Sequence, residues 1–367
     1  MIKKILIGFG ILLVIVVILG VLAFSYFKPN KEVVLTFIKE NPKKSSIYLM
    51  RNDSLLSSLN INQKMPLAST VKIIIAIEYA EQAAQKILDP NELIALNELE
   101  KYYVPNTDGG AHPSWKSNIK KMDLINDGQV ELREVAKGMI KYSSNANTEY
   151  LIDRLGQQNI NQRLDSLKIN VHDSIYYIVS ALFVGKERFP SLKGEELKTK
   201  LKGLSLEEYI QICSVIHDKL KNDSEGNYKG DLEDLSLSIQ RVWSDNLPGS
   251  TTKEYAGLMK KINSRNFLSA KTHIYLDEVM EFILENPANR SWLEHSGMKG
   301  GSTAFVLTKA LYATDKKGNQ TELAYFINDL SYLQNIRLQT SMNAFELSIL
   351  TDGVFRKKIE EQLSSSQ

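Results

Sequence analysis

Apolar and polar positions alternate differently in successive parts of the chain, and each change predicts a different element. Apolar residues at positions 33, 34, 35, 37 and 38 predict a short helix over 31–41. Residues 45–51 have the pattern of a strand, and residues 54–59, after a turn at Asn52 and Asp53, predict the strand that returns beside it. The folded part of the chain is therefore expected to begin with one helix and a β-hairpin.

Helical spacing then dominates the middle of the chain. Apolar residues at 71, 74, 75, 77 and 80 share one helical face, which predicts a helix over 68–84 with Ser69 or Thr70 near its start. The same reasoning predicts further helices over 130–142, 145–155, 205–220, 252–263 and 273–285.

The β pattern returns near the C-terminus, in two runs at 303–314 and 322–328 that flank a hairpin turn, and a last helix is predicted over 343–362. Strands at both ends of the chain with helices between them predict an α+β fold, in which one antiparallel sheet is flanked by helices. The regions we expect are a sheet region from 31–68 and 296–367, a helical region over 69–295, and an inserted all-helical segment at 190–245.

An uncharged, mostly apolar stretch precedes this body at residues 5–27. As a helix it would span about 35 Å, which is enough to cross the bilayer core. Lys3 and Lys4 favour a cytoplasmic N-terminus. We therefore predict a cytoplasmic tail at 1–4, a single-pass anchor at 5–27, and an extracytoplasmic body at 28–367 on the cell membrane. A signal peptide cleaved near residues 21–23 is the alternative.

Composition narrows the possible partners. The 45 basic and 43 acidic residues leave a net charge of +2, without the basic excess of a polyanion-binding surface, so nucleic acid is not an expected partner. The single cysteine, Cys213, excludes an intramolecular disulfide and a cysteine-based zinc cluster, and the five histidines lack metal-ligand spacing. We predict no metal and no cofactor.

Ser69 and Lys72 place a hydroxyl and an amine three residues apart at the start of the helix predicted over 68–84. The two side chains would share one face, where a hydrogen bond is feasible. Burial and the helix dipole would both lower the pKa of such a lysine, and a neutral lysine can accept the serine proton. The alternative is a lysine that reaches the surface from an exposed helix start.

The Ser-x-x-Lys spacing by itself is weak support, because it recurs at 117–120, 250–253 and 296–299. Context distinguishes the copy at Ser69. It opens the most apolar helix after the N-terminal stretch, and a lysine followed by three isoleucines is costly there unless it has a role.

A second motif, Ser143-Ser144-Asn145, lies between two predicted helices, so both ends of the motif could project toward a neighbouring site. The alternative is that Ser143 or Ser144 only caps the following helix. The exact Ser-Asp-Asn at 244–246 is a rival, but it runs into Leu-Pro-Gly and we interpret it as part of a loop.

A third motif enters a late strand as Lys299-Gly300-Gly301-Ser302-Thr303. The glycines would let a substrate backbone approach, the strand edge offers N–H groups for pairing, and Lys299 supplies a positive charge. A bulge or hairpin glycine pair beside an exposed lysine is the alternative.

In this order, Ser-x-x-Lys, Ser-x-Asn and Lys-x-Gly resemble the motifs of class A β-lactamases and their penicillin-binding relatives, a superfamily of serine hydrolases. The likeness extends to residues 130–142 and 145–155, which resemble the helices on either side of the family's Ser-x-Asn. Residues 250–256 resemble the capped helix before its late strands. The resemblance covers the chain from about residue 31 to the C-terminus.

The resemblance implies catalytic roles for four residues. Ser69 would be the nucleophile and Lys72 its general base. Ser143, assisted by Lys299, would pass the proton toward the leaving nitrogen.

The resemblance also implies substrate contacts. Asn145 would hold the amide side chain of the substrate, and the backbone N–H groups of Ser69 and Ser302 would form the oxyanion hole. The remaining expected binding residues are Gly301, Thr303, and an aromatic wall at Tyr103 or Tyr102.

Two departures from the family pattern bear on turnover. The Glu-x-x-Leu-Asn loop, whose Glu activates the deacylating water, has no counterpart between residues 155 and 204. Gly300 stands where the family usually has Thr or Ser, which removes a hydroxyl expected to bind the substrate carboxylate, and Ser302 or Thr303 are possible substitutes.

We therefore expect a membrane-anchored, extracytoplasmic serine hydrolase of the class A β-lactamase type that opens a β-lactam or related amide through a Ser69 acyl-enzyme. The first alternative is a D-Ala-D-Ala carboxypeptidase or penicillin-binding protein that acts on peptidoglycan stem peptides and deacylates slowly. The second is a non-hydrolytic sensor of penicillin or cell-wall peptide.

Overall fold

The structure, a computed structural model, describes residues 2–230, 232 and 235–363. Its β-strands are β1 Ser45–Arg51, β2 Ser54–Leu59, β3 Met65–Pro66, β4 Leu93–Ala95, β5 Gln129–Glu131, β6 Gly249–Ser250, β7 Leu293–Ser302, β8 Leu307–Asp315 and β9 Gln320–Ile327. Five of them form one antiparallel sheet in the order β2-β1-β9-β8-β7. The predicted α+β fold, with a sheet assembled from both ends of the chain, is confirmed.

Helices surround the sheet and fill the middle of the chain. They are α1 Ile2–Phe27, α2 Lys31–Glu40, α3 Lys72–Ala84, α4 Leu96–Glu100, α5 Ala111–Lys121, α6 Leu132–Lys137, α7 Asn145–Leu155, α8 Gln157–Ser166, α9 Val184–Arg188, α10 Gly194–Lys202, α11 Leu206–Lys221, α12 Asn227–Gly230, α13 Leu237–Asn246, α14 Thr252–Asn263, α15 Ala270–Met280, α16 Pro287–Arg290, α17 Tyr332–Thr351 and α18 Gly353–Leu363. Short 3-10 turns cover Pro42–Lys44, Ala68–Val71, Ser180–Phe183 and Phe282–Glu285, and a π-helical turn covers Gly138–Tyr142.

The two faces of the sheet bury separate apolar clusters. Along β9, Ala324 and Phe326 belong to one cluster and Leu323, Tyr325 and Ile327 to the other, as the alternation of a strand requires. The first cluster includes residues of α3, α7, α14 and α15, and the second includes residues of α2, α17 and α18. The helix that follows Ser69 is therefore held against one face of the sheet.

A third apolar cluster lies away from the sheet, in the region of the predicted insertion. It joins α9, α10, α11 and α13 to residues before α5 and after α8. His217 of α11 fastens this region to α7, because its ring nitrogens lie 3.5 Å from Glu149 and 3.4 Å from Asp153 and its ring stacks on Tyr177 at 3.7 Å. Burial opposes the charge, but the two carboxylates raise the pKa of His217 to about 9. The boundaries of the insertion remain a prediction.

Several predicted helices have different boundaries in the structure. The helix predicted over 68–84 starts as a 3-10 turn and becomes α-helical only at Lys72. The helix predicted over 130–142 divides into a strand, α6 and a π turn, because Gly138 allows close packing there. The helix predicted over 273–285 ends at Met280 and continues as a 3-10 turn.

The late elements also need correction. The last helix, predicted over 343–362, is two helices, α17 and α18, that meet at Asp352, and the first begins at Tyr332, where Ser331 and Gln334 form a capping box. The strand predicted over 303–314 begins at Leu307, because residues 303–306 form the turn from β7 into β8. The sequence 244–246 is the C-terminal end of α13 rather than part of a loop.

Among the residues that the structure describes, no single helix is both long and apolar enough to cross a membrane, whereas Leu13–Phe27 and Lys31–Glu40, bent at 79°, satisfy length and composition together.

Candidate active site

The nucleophile turn, residues 66–72, is clamped between the sheet and a small hairpin. Pro66 in β3 pairs with Gly249 in β6, and the 3-10 turn over Ala68–Val71 then presents Ser69 at the surface of a cavity. Ala68 has a left-handed backbone with a φ of 46°. A non-glycine residue in that conformation stores about 1–3 kcal/mol of strain, which surrounding contacts must hold in place.

The contacts that hold this turn come from β8. The Thr308 hydroxyl donates to the backbone oxygen of Leu67 at 2.7 Å, and the Thr70 and Thr308 hydroxyls lie 2.8 Å apart. All three residues are buried. Hydrogen bonds on both sides of Ser69 therefore fix its backbone against the sheet.

Gly301 of β7 completes this packing. A Cβ added at Gly301 would lie 2.5 Å from the Leu67 oxygen and 2.6 Å from the Ser69 nitrogen, so only glycine lets the strand approach so closely. Gly301 was expected to make room for a substrate backbone, and it also makes room for the nucleophile turn of the chain itself. Ser302 follows it on the cavity wall.

Ser143 reaches the site from the opposite side. The π turn over Gly138–Tyr142 ends at Ser143, whose φ of 71° is again left-handed. Gly138 makes the turn possible, because a Cβ there would lie 2.2 Å from the Asn147 amide nitrogen and 2.7 Å from Trp115. Ser144 then caps α7, so the capping alternative applies to Ser144 and leaves the Ser143 side chain to face the site.

Two lysines converge on the Ser143 hydroxyl. Lys72 Nζ lies 3.3 Å from Ser143 Oγ and Lys299 Nζ lies 3.0 Å from it. Lys72 also donates to the Ser143 backbone oxygen at 2.7 Å and to Asn145 Oδ1 at 2.8 Å, whereas Lys299 donates to the Gly300 oxygen at 2.7 Å. Lys72 is fully buried, which excludes the alternative of a lysine that reaches the surface.

Burial changes the charge state of both lysines. Burial, together with the neighbouring Lys299 charge, lowers the pKa of Lys72 well below its ordinary value, and Asp108 only partly opposes this. Burial, and then the charge of Lys309, lowers the pKa of Lys299 to about 7. A neutral Lys72 can accept a proton, and an amine that loses its proton near neutrality suits a site that moves protons.

One expected contact is replaced by others. The hydrogen bond predicted between Ser69 and Lys72 is not among those of the described residues, since Lys72 donates to residues 143 and 145 instead. Lys72 therefore stands at the base of the site, next to the residue that would receive its proton.

The cavity in front of these groups has a volume of about 730 Å³. Six of the predicted site residues line it: Ser69, Ser143, Asn145, Gly301, Ser302 and Thr303. The aromatic wall is different from the prediction. Tyr103 and Tyr102 are not among its lining residues. Tyr103 stacks on His112 at 4.9 Å and Tyr102 on His217 at 5.1 Å. Tyr142 and Trp243 are the aromatic residues at the cavity.

Three further residues at the site escaped the sequence reasoning. Lys309 of β8 lines the cavity beside Gly300 and pairs with Glu346 at 3.3 Å. Thr308 holds the nucleophile turn, and His112 supports the segment that carries Ser143. Lys309 was missed because its position opposite Gly300 depends on the register between β7 and β8, which the sequence does not show.

The loop that leads from α8 to the site, residues 167–179, presents no carboxylate to Ser69. Ile178 is its residue at the cavity, where it packs with Ala68. Glu149, the nearest acid on α7, is buried and accepts hydrogen bonds from the backbone of Val179 and Ser180. Among the described lining residues Asp108 is the only carboxylate, and it accepts N–H groups at the start of α5.

The rival motif at 244–246 lies beside Thr303, which lines the cavity, and makes no hydrogen bond to Lys72 or Lys299 among the described residues. The Ser244 hydroxyl lies 2.7 Å from that of Thr303, and Asp245 forms an ion pair with Arg241. Ser143 and Asn145 are therefore the serine and asparagine that the fold brings to Ser69.

Residues 30–282, more than half of the chain, match the sequence model of the β-lactamase enzyme family. This chain belongs to that family. Curated protein sequences give no significant match. The β-lactamase family match ends before β7, so the contribution of Lys299 and Gly301 to the site rests on the geometry described above.

Solved structures with this fold include three β-lactamases. They are a β-lactamase from Chitinophaga pinensis (14% identity, TM-score 0.50, 87% of this chain and 99% of that one), one from Sphaerobacter thermophilus (15%, 0.52, 90% and 98%), and TLA-3 extended-spectrum β-lactamase (12%, 0.51, 87% and 98%). Identities this low show the fold alone. Family membership and fold together make the chain a serine hydrolase of the β-lactamase type.

Proposed function

We propose that Ser69 attacks the carbonyl of a β-lactam, or of a related amide such as a D-Ala-D-Ala peptide, and forms an acyl-enzyme that is released slowly. The observation that carries this proposal is the meeting of Lys72 and Lys299 at the Ser143 hydroxyl, in a cavity that Ser69 lines. The buried Lys72 amine follows Ser69 by three residues and lies within hydrogen-bond reach of the Ser143 hydroxyl, so the groups needed to move one proton are all present.

Acylation relays a proton from Ser69 to the leaving nitrogen through Lys72 and Ser143. Lys72 Nζ accepts the proton of Ser69 Oγ, the bond from Oγ to the carbonyl carbon forms, and the backbone N–H groups of Ser69 and Ser302 stabilise the oxyanion. Lys72 then passes a proton to Ser143 Oγ, 3.3 Å away, as Ser143 gives its own proton to the leaving nitrogen. The carbon–nitrogen bond breaks, and the Lys299 charge holds a substrate carboxylate at the same end of the cavity.

Slow release is proposed because hydrolysis of the ester needs a base that activates water. The described lining residues offer only Asp108, whose oxygens are occupied by backbone N–H groups, and the loop over 167–179 presents Ile178. This favours a penicillin-binding enzyme, whether a slow peptidase or a sensor, over a fast β-lactamase.

The test is intact-mass analysis of the full chain incubated with a penicillin. We expect a covalent adduct of the mass of the whole drug that persists for many minutes, and no adduct with Ser69→Ala. Rapid loss of the adduct with consumption of the drug would refute slow release and leave Ser69 acylation intact. An adduct on Ser69→Ala, or none on the native chain, would refute the acylation itself.

We also propose that residues 5–27 fasten the chain to the cell membrane, with the catalytic body outside the cytoplasm and residues 1–4 inside. The support is the uncharged composition of this stretch, with lysines at positions 3 and 4 before it. The full chain should resist extraction from bacterial membranes with alkaline carbonate, and protease added to spheroplasts should cleave the body. A chain that lacks residues 2–27 should be soluble, and recovery of the full chain in the soluble fraction would contradict the proposal.

A further inference from the structure

A second cavity, which we call the insertion pocket, lies in the inserted helical region and has a volume of about 400 Å³. Helices α10 and α13 form two of its walls, through Leu197 and Leu201 on α10 and Ile239 and Val242 on α13. The volume is within the range of small-molecule binding sites. No step of the proposed reaction uses it.

The lining of the insertion pocket is mainly apolar, and Lys186, Lys193 and Gln240 are its polar members. Leu197, Leu201, Ile239 and Val242 are all buried. The Tyr209 hydroxyl, the polar group of its buried wall, is already bonded to the Ala181 oxygen at 3.1 Å. A ligand group that lies against this buried wall would gain apolar contact and meet no polar group that needs a partner, so a charged or strongly polar group would lose its hydration there without compensation.

The insertion pocket adjoins the catalytic cavity. Trp243 and Gln240 line both of them. The Trp243 indole donates to the Ile178 oxygen at 3.5 Å, and Ile178 packs with Ala68, the residue before the nucleophile. A substrate side chain that extends from Ser69 past Ile178 would therefore meet the Trp243 side chain at the boundary of the insertion pocket.

We propose that the insertion pocket receives the apolar end of the substrate's acyl side chain, so that the preferred substrate is a β-lactam or related amide with a large aromatic or branched apolar side chain. This inference rests on the proposed acylation of Ser69. The substrate is the expected occupant because the insertion pocket shares two wall residues with the catalytic cavity. Removing one methylene group from a substrate that fills an apolar pocket typically lowers kcat/KM by about tenfold or more.

The test compares two penicillins that differ only in the acyl group, one with a methyl group and one with a naphthyl group. Both keep the side-chain amide that Asn145 would hold, so the difference isolates the apolar end. We measure the second-order rate of acylation of the full native chain by intact mass, and we expect the naphthyl compound to react at least about tenfold faster.

Leu197→Trp should fill the insertion pocket from a wall that the catalytic cavity does not share and reduce the naphthyl-to-methyl ratio to near one, with the methyl compound unaffected. Val215→Trp is the matched control, since it adds the same side chain to α11 at an exposed position and should leave the ratio unchanged. If Leu197→Trp fails to fold, Leu197→Ala, which enlarges the pocket, should shift the preference toward a still larger biphenyl side chain. Leu220→Ala, in the same apolar cluster but outside the pocket, should not.

The outcomes separate the two proposals. No adduct with either penicillin would refute the acylation of Ser69. Adducts with equal rates for both compounds, or a ratio that Leu197→Trp leaves unchanged, would refute the insertion pocket as a side-chain site and leave acylation standing. Binding of free naphthalene to the native chain, without any effect on its rate of acylation by the naphthyl compound, would also overturn it, because the pocket would then serve a separate ligand.

Discussion

The Ser144 hydroxyl accepts a hydrogen bond from Nδ1 of the buried His112 at 2.9 Å and donates its own proton to Asn147 Oδ1. The Asn147 amide is oriented by its own bond to the Val135 oxygen, so its Oδ1 can only accept. The other ring nitrogen of His112 lies 3.1 Å from a carboxylate oxygen of Glu100, which also accepts. The His112 ring therefore bridges the Glu100 carboxylate and Ser144, the residue next to Ser143.

His112 is thus a positioning residue. It supports the segment that carries Ser143 and does not itself contact the substrate, so its loss should impair acylation indirectly. The left-handed Ser143 depends on Ser144, so His112→Ala should lower the acylation rate roughly ten- to hundredfold through misplacement of the Ser143 hydroxyl. The alkaline limb of the pH profile, set by Lys299, should keep its midpoint. The measurement is the pH dependence of acylation by a penicillin.

Lys116→Ala is the matched control for His112. Lys116 also pairs with Glu100, at 2.6 Å, but from the surface of α5, where an ion pair contributes little. Acylation by Lys116→Ala should stay within twofold of the native rate. An equal loss in both variants would mean that Glu100, rather than the His112 ring, positions the segment.

Substitution by alanine should be severe at Gly301 and mild at the adjacent Gly300. Gly301→Ala would force a Cβ to within 2.6 Å of the Ser69 nitrogen, so we expect acylation to fall at least about a hundredfold and the free energy of unfolding to drop by about 2 kcal/mol. Gly300→Ala meets its nearest atom, Lys309 Cε, at 3.4 Å, which a flexible side chain can accommodate. Its acylation rate should change less than threefold. Thermal unfolding and acylation kinetics of both variants check this, and a tolerated Gly301→Ala would contradict the close packing of β7 on the nucleophile turn.

The predictability of this molecule from its sequence depends on the kind of signal each residue carries. The early hairpin, α7 and α14 were predicted within a residue, because alternation, capping residues and apolar spacing agree there. The division of 130–142 was missed because the π turn depends on Gly138 packing against Trp115 and Asn147, which lie elsewhere in the chain or beyond the helix. The helix propensity of a segment does not reveal such tertiary contacts.

The site shows the same limit. Ser69, Lys72, Ser143 and Lys299 were singled out as candidates because their spacings resemble a known order of motifs. His112 was given no role beyond being one of five histidines without metal-ligand spacing, because nothing in its local Gly-Pro context shows that Ser144 and Asn147 will meet its ring. Tyr103 was assigned to the cleft by analogy, and the structure stacks it on His112. Residues that act through neighbours distant in sequence need the fold before they can be recognised.

Acylation should have a bell-shaped pH profile whose alkaline limb lies near pH 7. Lys72 must be neutral to accept the proton of Ser69, so the rate rises as pH passes its lowered pKa. Lys299 must be charged to hold a carboxylate, so the rate falls above its pKa of about 7. In Lys299→Arg the guanidinium stays protonated, and the alkaline limb should disappear. An alkaline limb that persists in Lys299→Arg would assign it to another group.

The lowered pKa of Lys299 should make the free energy of unfolding larger at alkaline pH than at neutral pH. Lys299 has a pKa of about 7 when folded and an ordinary one near 10.5 when unfolded, so between these values the unfolded chain binds more protons and the free energy of unfolding rises with pH. Below pH 7 both states are charged and the full cost of burial remains. Urea unfolding at pH 6.5 and pH 9 should show this rise, and Lys299→Met should reduce the difference between the two pH values. An equal rise in the variant would mean that Lys72 or other groups account for it.

Lys309 should affect both substrate affinity and the charge of Lys299. It lines the cavity beside Gly300, where no hydroxyl is available for a carboxylate, and its charge is the second cause of the lowered pKa of Lys299. Replacing Lys309 with Met alone would leave Glu346 buried and unpaired, so Glu346→Gln is added to preserve the acceptor for the Tyr325 hydroxyl. The double variant should bind a penicillin about tenfold more weakly before acylation, and its alkaline limb should move above pH 7. Weaker binding without a shift of that limb would contradict the coupling between the two lysines, whereas a shift without weaker binding would place the carboxylate elsewhere.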